Sequence, residues 1–382
     1  MSNLVYITRT SSFLPLEAVG NDTMESVLGM TGDKPSRTRK ITLRSNGINS
    51  RHYVTDPKTG EVRYTNAQLA AEAVRGLTDE TFSIDNIACL SASTSIPDQI
   101  LPGHGVMVHG ELGGKPCEVV TTAGVCAAGA TALKYAWLAV SAGEFPNAVA
   151  TASETASLVL RASRYAAETD HQVASLESRP ELAFQKDFLR WMLSDAAGAF
   201  LLQDRPATNG LSLRIDWIDV ASYANEQPVC MYAGAEKNER GELIGWARFS
   251  HEELGRQSIL TVKQDVKMLN ANIAEYCLEK PLAKIAERRG LRTEHIDWFL
   301  PHMSSEYFRP QIVTGLARIG LPIPTERWFT NLSTRGNTGS ASIYLMIDEL
   351  FHSGRLQPGQ RILGFVPESG RFTSVFIHLT VV

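Results

Sequence analysis

The sequence predicts an α/β protein whose sheets are covered by helices on both faces, and three observations carry that expectation. Short apolar runs of strand length alternate along the chain with longer stretches of helical spacing. The runs at 84–90 and 296–300 are apolar enough to read as strands buried on both sides, which is how strands look beneath two helical layers. The order of elements also repeats: a helix leads to an apolar strand, and a small-residue turn then opens a helix that ends at glycine and passes to a further strand. On this reading residues 1–205 and 206–382 are two similar strand-and-helix halves that meet at a pseudo-twofold axis.

Taken in order, residues 4–7 read as a short strand and 21–30 as a short helix. Pro35-Ser36-Arg37-Thr38-Arg39-Lys40, followed by Arg44, Arg51 and His52, is a basic segment containing the turn-like Ser45-Asn46-Gly47. It is either a solvated face or a landing site for a phosphate-bearing ligand, with Arg37 and Arg44 as candidate contacts. Apolar residues from 66 to 77 fall at helical spacing behind Thr65, a good N-cap. Strands are expected at 84–90 and 117–122, the second delivering the chain to Thr121-Thr122-Ala123-Gly124-Val125-Cys126-Ala127-Ala128-Gly129. A helix over 127–142 follows and stops at Gly143, as helices commonly do. Strands at 147–152 and 196–202 enclose a polar stretch, 161–187, that reads as a lid or insertion. In the second half a helical region over 262–289 passes through Gly290 to the strand at 296–300. A turn around Asn337, a helix to His352 and strands at 361–366 and 374–381 complete the chain.

Composition narrows the function. The chain has 382 residues and a net charge of -4, so it lacks the basic surplus that nucleic acid or an anionic membrane would demand. Five cysteines, odd in number and without a CxxC pair, indicate neither a disulfide framework nor a zinc ribbon and fit a reducing cytoplasm. The first residues contain no apolar core of a signal peptide, and nothing later approaches a membrane-spanning run. Two histidines and a carboxylate in Gly103-His104-Gly105 through His109-Gly110-Glu111 match no standard metal spacing, so no metal is expected. No nucleotide-binding glycine motif follows a strand. Lys280, Lys284, Arg288, Arg289 and Arg292 form a basic stretch that could meet an acidic carrier protein or simply be an exposed helix end.

The chemistry concentrates in three places. Cys126 stands where a helix begins, and a helix N-terminus favours thiolate over thiol and offers N–H donors to an oxyanion; the plainer reading is a buried structural cysteine. His302 follows an apolar strand, at the end where open α/β sheets place ligands. Asn337 lies between Gly336 and Gly339 at a helix start. If the halves are related, all three turns face one another at the axis.

Together, Gly124-Val-Cys126-Ala-Ala-Gly129, Ile296-Asp-Trp-Phe-Leu-Pro-His302 and Arg335-Gly-Asn337-Thr-Gly-Ser-Ala-Ser-Ile343 resemble the active-site segments of the β-ketoacyl carrier-protein synthase III group of the thiolase superfamily. Gly47-Ile-Asn-Ser-Arg51-His52, Leu193-Ser-Asp195-Ala-Ala-Gly198 and Leu356-Gln-Pro358-Gly359 extend the resemblance. It implies a thiolase-like five-layered αβαβα fold, usually a homodimer, and substrates presented as coenzyme A or phosphopantetheine thioesters, with an acyl carrier protein as partner and no further cofactor. By the resemblance Cys126 is the acylated nucleophile, His302 and Asn337 handle the second substrate, and the backbone N–H groups of Cys126 and Gly370 receive an oxyanion. Arg44-Ser-Asn46-Gly47-Ile is also similar to the ketosynthases that build dialkylresorcinol precursors.

Departures fall around the substrate channel. The family's glycine run becomes Pro367-Glu368-Ser369-Gly370-Arg371-Phe372, and the residues after the histidine are Met303, Ser304, Ser305 and Glu306. Segments 161–187 and 204–256 are longer than in the housekeeping enzymes. The leading expectation is a condensing enzyme that joins an acyl group on Cys126 to a malonyl or β-ketoacyl thioester in a specialised pathway. An acyltransferase making an ester or amide is the rival, and it would use a carboxylate beside His302, for which Glu306 is the candidate. A non-catalytic partner subunit fits poorly, because such subunits typically lose the nucleophile that Cys126 provides.

Overall fold

Nine strands form one principal sheet. They are β1 (Tyr6–Phe13), β2 (Cys89–Thr94), β3 (Glu118–Ala123), β4 (Asn147–Glu154), β5 (Ala196–Gln203), β6 (Leu213–Ser222), β7 (Trp298–Pro301), β8 (Arg361–Glu368) and β9 (Thr373–Val381). The computed structural model describes residues 3–30, 37–164 and 189–382. Seven helices matter to the site: α1 (Asn66–Arg75), α2 (His104–Leu112), α3 (Ala127–Ser141), α4 (Val266–Ile273), α5 (Lys280–Arg289), α6 (Arg309–Arg318) and α7 (Ser342–Phe351). No described helix is long and apolar enough to cross a membrane.

The sheet order is β7-β8-β9-β6-β1-β5-β4-β2-β3, and its pairing repeats. From β1 outward, β5 and β4 join antiparallel and β2 and β3 join parallel. From β6 outward, β9 and β8 join antiparallel and β7 joins parallel. Phe299 of β7 then bridges in parallel to Trp328, where the first half has β3. The two half-sheets meet through a short antiparallel contact of Tyr6 with Arg214 and Ile7 with Leu213.

Layering follows from which faces are apolar. Leu69 and Val74 of α1 and Val108 of α2 pack on Leu90, Val149 and Leu201, covering the outside of the first half-sheet. Leu282 and Ile285 of α5 and Ile312 and Leu316 of α6 cover the second against Phe299, Leu363 and Phe376. Between the half-sheets lie α3 and α7, whose Leu133, Ala136, Ile343 and Ile347 share a core with Phe200 and Ile377. The result is five layers, helix, sheet, helix, sheet, helix.

Small residues set the spacing of the middle layer. A Cβ on Gly129 would come within 2.1 Å of the Ser340 carbonyl oxygen, and one on Gly198 within 2.4 Å of Tyr344 Cβ. The Tyr344 hydroxyl donates to the Gly129 carbonyl at 2.9 Å, fixing α7 against α3. Thr65 caps α1 as expected, in a reciprocal box with Gln68.

Some elements differ from their sequence reading. The strand expected at 84–90 starts only at Cys89, because Ser83 and Asn86 close a 3₁₀ turn over Ile84–Asn86. Within 204–256, where the sequence reading assigned no strand, lies β6, through which the half-sheets join. The basic segment becomes a helix, Arg37–Asn46, closed by Gly47 at φ +70°. Of the lid expected at 161–187, Ala162–Arg164 is a 3₁₀ turn, and the part beyond residue 164 lies outside the described residues.

Candidate active site

The site is assembled from three chain turns. Where β3 ends, Gly124 and Val125 turn the chain so that Cys126 takes the N-cap position of α3 with helical dihedrals. Cys126 is 9% exposed. Where β7 ends, the N–H of His302 continues the sheet by donating to the Phe365 carbonyl of β8 at 2.8 Å, and its side chain is buried. Asn337 is held by its own backbone: its N–H donates to the Met192 carbonyl at 2.9 Å and its carbonyl accepts from Ser194 at 2.8 Å. Gly336 at φ +70° and Gly339 at φ +54° make that loop, in conformations other residues rarely adopt.

Cys126, His302 and Asn337 line one cavity, whose apolar wall includes Leu269, Leu278, Met303 and Phe365. A second cavity, of about 300 Å³, also reaches Cys126 and Asn337, and runs past Ile96, Ala156, Leu193 and Val262. Two largely apolar spaces therefore meet at the sulfur.

Hydrogen bonding orients the polar groups. The Gly339 N–H donates to Asn337 Oδ1 at 3.0 Å, which assigns the amide oxygen and leaves the NH₂ for the cavity side. His302 Nδ1 is buried without a partner among the described residues. Burial pulls the His302 pKa down to about 4, so the imidazole is neutral at pH 7.

Cys126 corrects its sequence reading. Burial, and after it the charges of Glu368 and Glu154, push the thiol well above its ordinary range, so the resting group is a thiol and not the thiolate expected at a helix start. The helix amides are also occupied: Glu368 Oε2 accepts from Val125 N at 2.9 Å and from Ala127 N at 3.1 Å. Burial raises the Glu368 pKa, and these two N–H bonds oppose it.

The remaining expected residues divide. Met303 and Ser304 line the cavity. Glu306 does not: Arg309 grips both its oxygens at 2.6 and 2.9 Å, and its stem packs over Gly47, so the carboxylate expected beside His302 is spent on a neighbouring cation. At the last strand Ser369, and not Gly370, forms cavity wall, while the Gly370 carbonyl accepts from Cys230 and Met231 at 2.9 and 3.2 Å. Arg37 opens the helix Arg37–Asn46, and Arg44, exposed near its end, is not among the residues lining the cavity. Arg51 is buried and bonded to Asn21 Oδ1 at 2.7 Å, a structural cation rather than a phosphate contact.

On the surface, Arg288 and Arg289 pair with Asp219, Lys280 with Glu275 and Arg292 with Glu294. Those cations are shared with this chain's own acids. His104 is buried against Ser153 Oγ at 3.1 Å, and no cluster of three metal-ligating side chains exists among the described residues. Sequence reasoning missed Glu154, whose signal is a carboxylate ending a strand of small residues. Its Oε1 accepts from the N–H and hydroxyl groups of Ser95 and Ser340, tying β4 to the loop that carries Asn337. It also gave no role to Glu368, although the charge replacing a glycine was visible.

Comparison with known proteins finds similarity along most of the chain. Residues 286–370 match the family described as 3-oxoacyl-(acyl-carrier-protein) synthase III C terminal. The β-ketoacyl-acyl-carrier-protein synthase III of Xanthomonas campestris pv. campestris is 26% identical over 366 residues, 95% of each chain. Among solved structures, Xanthomonas campestris OleA with bound lauric acid and lauroyl-CoA superposes with a TM-score of 0.74 at 18% identity, covering 100% of both chains. AbyA1, described as a tetronic acid condensing enzyme, gives 0.72 at 18% identity, covering 98% of this chain and 99% of its own.

Proposed function

We propose that this chain is a synthase III-like ketosynthase, an acyltransferase that acylates Cys126 and condenses the acyl group with a second thioester; the match of residues 286–370, the similarity to synthase III relatives along the chain and the shared fold support this reading. The observation that carries this reading is the convergence of Cys126, His302 and Asn337 on one cavity. Acylation transfers an acyl group from coenzyme A or a phosphopantetheine thioester to sulfur, an exchange of like bonds that needs proton removal from the thiol and donors for the tetrahedral oxyanion. In the second half-reaction an enolate forms on a malonyl or β-ketoacyl thioester, and its negative charge gathers on the thioester oxygen. The neutral imidazole of His302 and the NH₂ of Asn337 supply donors to that oxygen, and neither group changes charge near pH 7. The new carbon–carbon bond then releases Cys126.

The apolar cavity of about 300 Å³ that reaches Cys126 suits an acyl chain, and the departures from the family pattern around the channel, Pro367-Glu368-Ser369 and Met303-Ser304-Ser305, favour a specialised pathway such as dialkylresorcinol precursor formation over general chain initiation. The Cys126 and oxyanion-donor roles, a cytoplasmic setting and an acyl carrier protein as partner belong to the same proposal. So does a homodimer: β3 is a sheet edge with exposed residues, and Tyr135 and Leu138 of the adjoining α3 are exposed beside it.

The deciding experiment incubates the purified protein with a panel of acyl thioesters and weighs the intact chain. Acyl mass is expected on the wild type and absent from Cys126→Ala. Labelling that persists in the variant sinks the proposal. An ester or amide product without carbon–carbon bond formation would favour the rival acyltransferase, which lost its supporting carboxylate when Glu306 was found paired with Arg309.

A further inference from the structure

One ionisable group beside the nucleophile is unused by the chemistry above. Glu368 ends β8 between Pro367 and Ser369, both of which line the cavity holding Cys126. One carboxylate oxygen, Oε2, is fixed by the amides on either side of that cysteine. The other, Oε1, has no hydrogen-bond partner among the described residues. Two glycines make the room: a Cβ on Gly124 would stand 3.3 Å from Oε2, and one on Gly370 would stand 3.3 Å from Oε1. A carboxylate thus anchored by one oxygen and open at the other is in the geometry of a positioned proton acceptor.

We propose that Glu368 is the general base of the condensation, taking the α-proton of a donor thioester that carries no carboxylate of its own. The inference rests on the ketosynthase reading and adds the class of second substrate to it.

Competing groups are unavailable. Glu154 is fully committed, its Oε1 to Ser95 and Ser340 and its Oε2 to Thr94. His302, pulled down to about 4, is too weak a base to hold the proton near neutral pH. The charge of the walls selects the donor. Among the described residues neither cavity is lined by lysine or arginine, and Glu154 lines one of them, so a malonyl carboxylate would enter beside a carboxylate with no counter-charge. A β-ketoacyl thioester brings no such charge, and its α-hydrogens are acidified by two carbonyl groups. In the step itself Glu368 takes the α-proton, and the C–H electron pair becomes the enolate. The enolate carbon attacks the acyl carbonyl on Cys126, the carbon–sulfur bond breaks, and the departing thiolate recovers the proton from Glu368. No oxidant and no loss of carbon dioxide is required.

A carboxylate that only capped α3 would give the same hydrogen bonds, so the test must separate the two roles. Glu368→Gln keeps an oxygen for both amides and removes the base. The wild type and the variant are given an acyl thioester, and then either malonyl thioester or an α-deuterated β-ketoacyl thioester. The expected result is that both proteins show the acyl adduct on Cys126 and similar melting temperatures. The wild type washes α-deuterium into water faster than the enzyme-free control and condenses the uncarboxylated donor, with the enzyme-dependent rates of the variant lower by about 10²- to 10⁴-fold. The titratable groups around Glu368 are Cys126, Cys277, whose Sγ lies 3.7 Å from the Glu368 carbonyl, and Glu154 beyond Cys126. Wild-type exchange is therefore expected to rise with pH as the carboxyl ionises, and the variant to show no such rise. Undiminished condensation by Glu368→Gln overturns the proposal. A wild type that prefers malonyl thioester and releases carbon dioxide also overturns it, whatever the variant's stability. If no acyl adduct forms on either protein, the ketosynthase reading itself has failed.

Discussion

Burial competes with the helix dipole at Cys126, and the magnitudes decide between them. A helix N-terminus contributes roughly 0.3–1 kcal/mol to an adjacent anion, less than the 1.4 kcal/mol or so of one pKa unit. Full burial moves a pKa by up to about 3–5 units, and here two of the amides beside the sulfur already serve Glu368. The thiol therefore stays protonated in the resting protein. The same physics acts on His104, which burial pulls to about 4 beside Ser153. Between that value and the unfolded value of about 6.5 the unfolded chain binds the proton and the native chain does not, so stability falls as pH falls through this window. Replacing His104 by Asn removes this contribution. In urea unfolding between pH 6 and 4.5 the variant is expected to lose about 1.4 kcal/mol less per pH unit than the wild type. A difference between the two proteins that stays constant with pH would refute the assignment.

The contact of α3 with the loop ahead of α7 sets the geometry of the candidate site. Gly129 lets the Ser340 carbonyl approach so closely that a methyl group there would overlap it, and the loop in question carries Asn337. Gly129→Ala must push the two halves of the site apart. We expect about 1–3 kcal/mol of destabilisation in denaturant unfolding, from overpacking, together with a larger loss of condensation than of Cys126 acylation. Equal losses in both half-reactions would show that the spacing of Asn337 from Cys126 is not what the glycine protects. The capping of α1 and the glycine stop of α3 were legible because each is written within a few residues. The 3₁₀ turn at Ile84–Asn86 and the role of β6 were not, because an apolar run fits either a strand or a turn packed on a core, and pairing partners are remote in sequence.

For the whole molecule, the repeated pairing of the half-sheets leaves β3 as an open edge, and an edge beside exposed apolar side chains is a place for a second copy. Leu138 is 49% exposed on α3, and Leu138→Asp places a charge on that face without touching the core. The wild type is expected to sediment as a dimer and the variant to shift toward the monomer mass. A wild type that sediments as a monomer at micromolar concentration would remove the dimer from the proposal.

What the sequence determined by itself was local: a small-residue turn placing a cysteine at a helix start, a histidine after an apolar strand, an asparagine among glycines, and an alternation of elements that admits few layered folds. The tertiary structure alone decided the proton on the sulfur, the partner of Glu306 and the seat of Glu368. That carboxylate meets its amides across 241 and 243 residues of chain. Ionisation and hydrogen bonding depend on every charge and donor within a few ångströms, and which groups those are is set by the packing of the two halves.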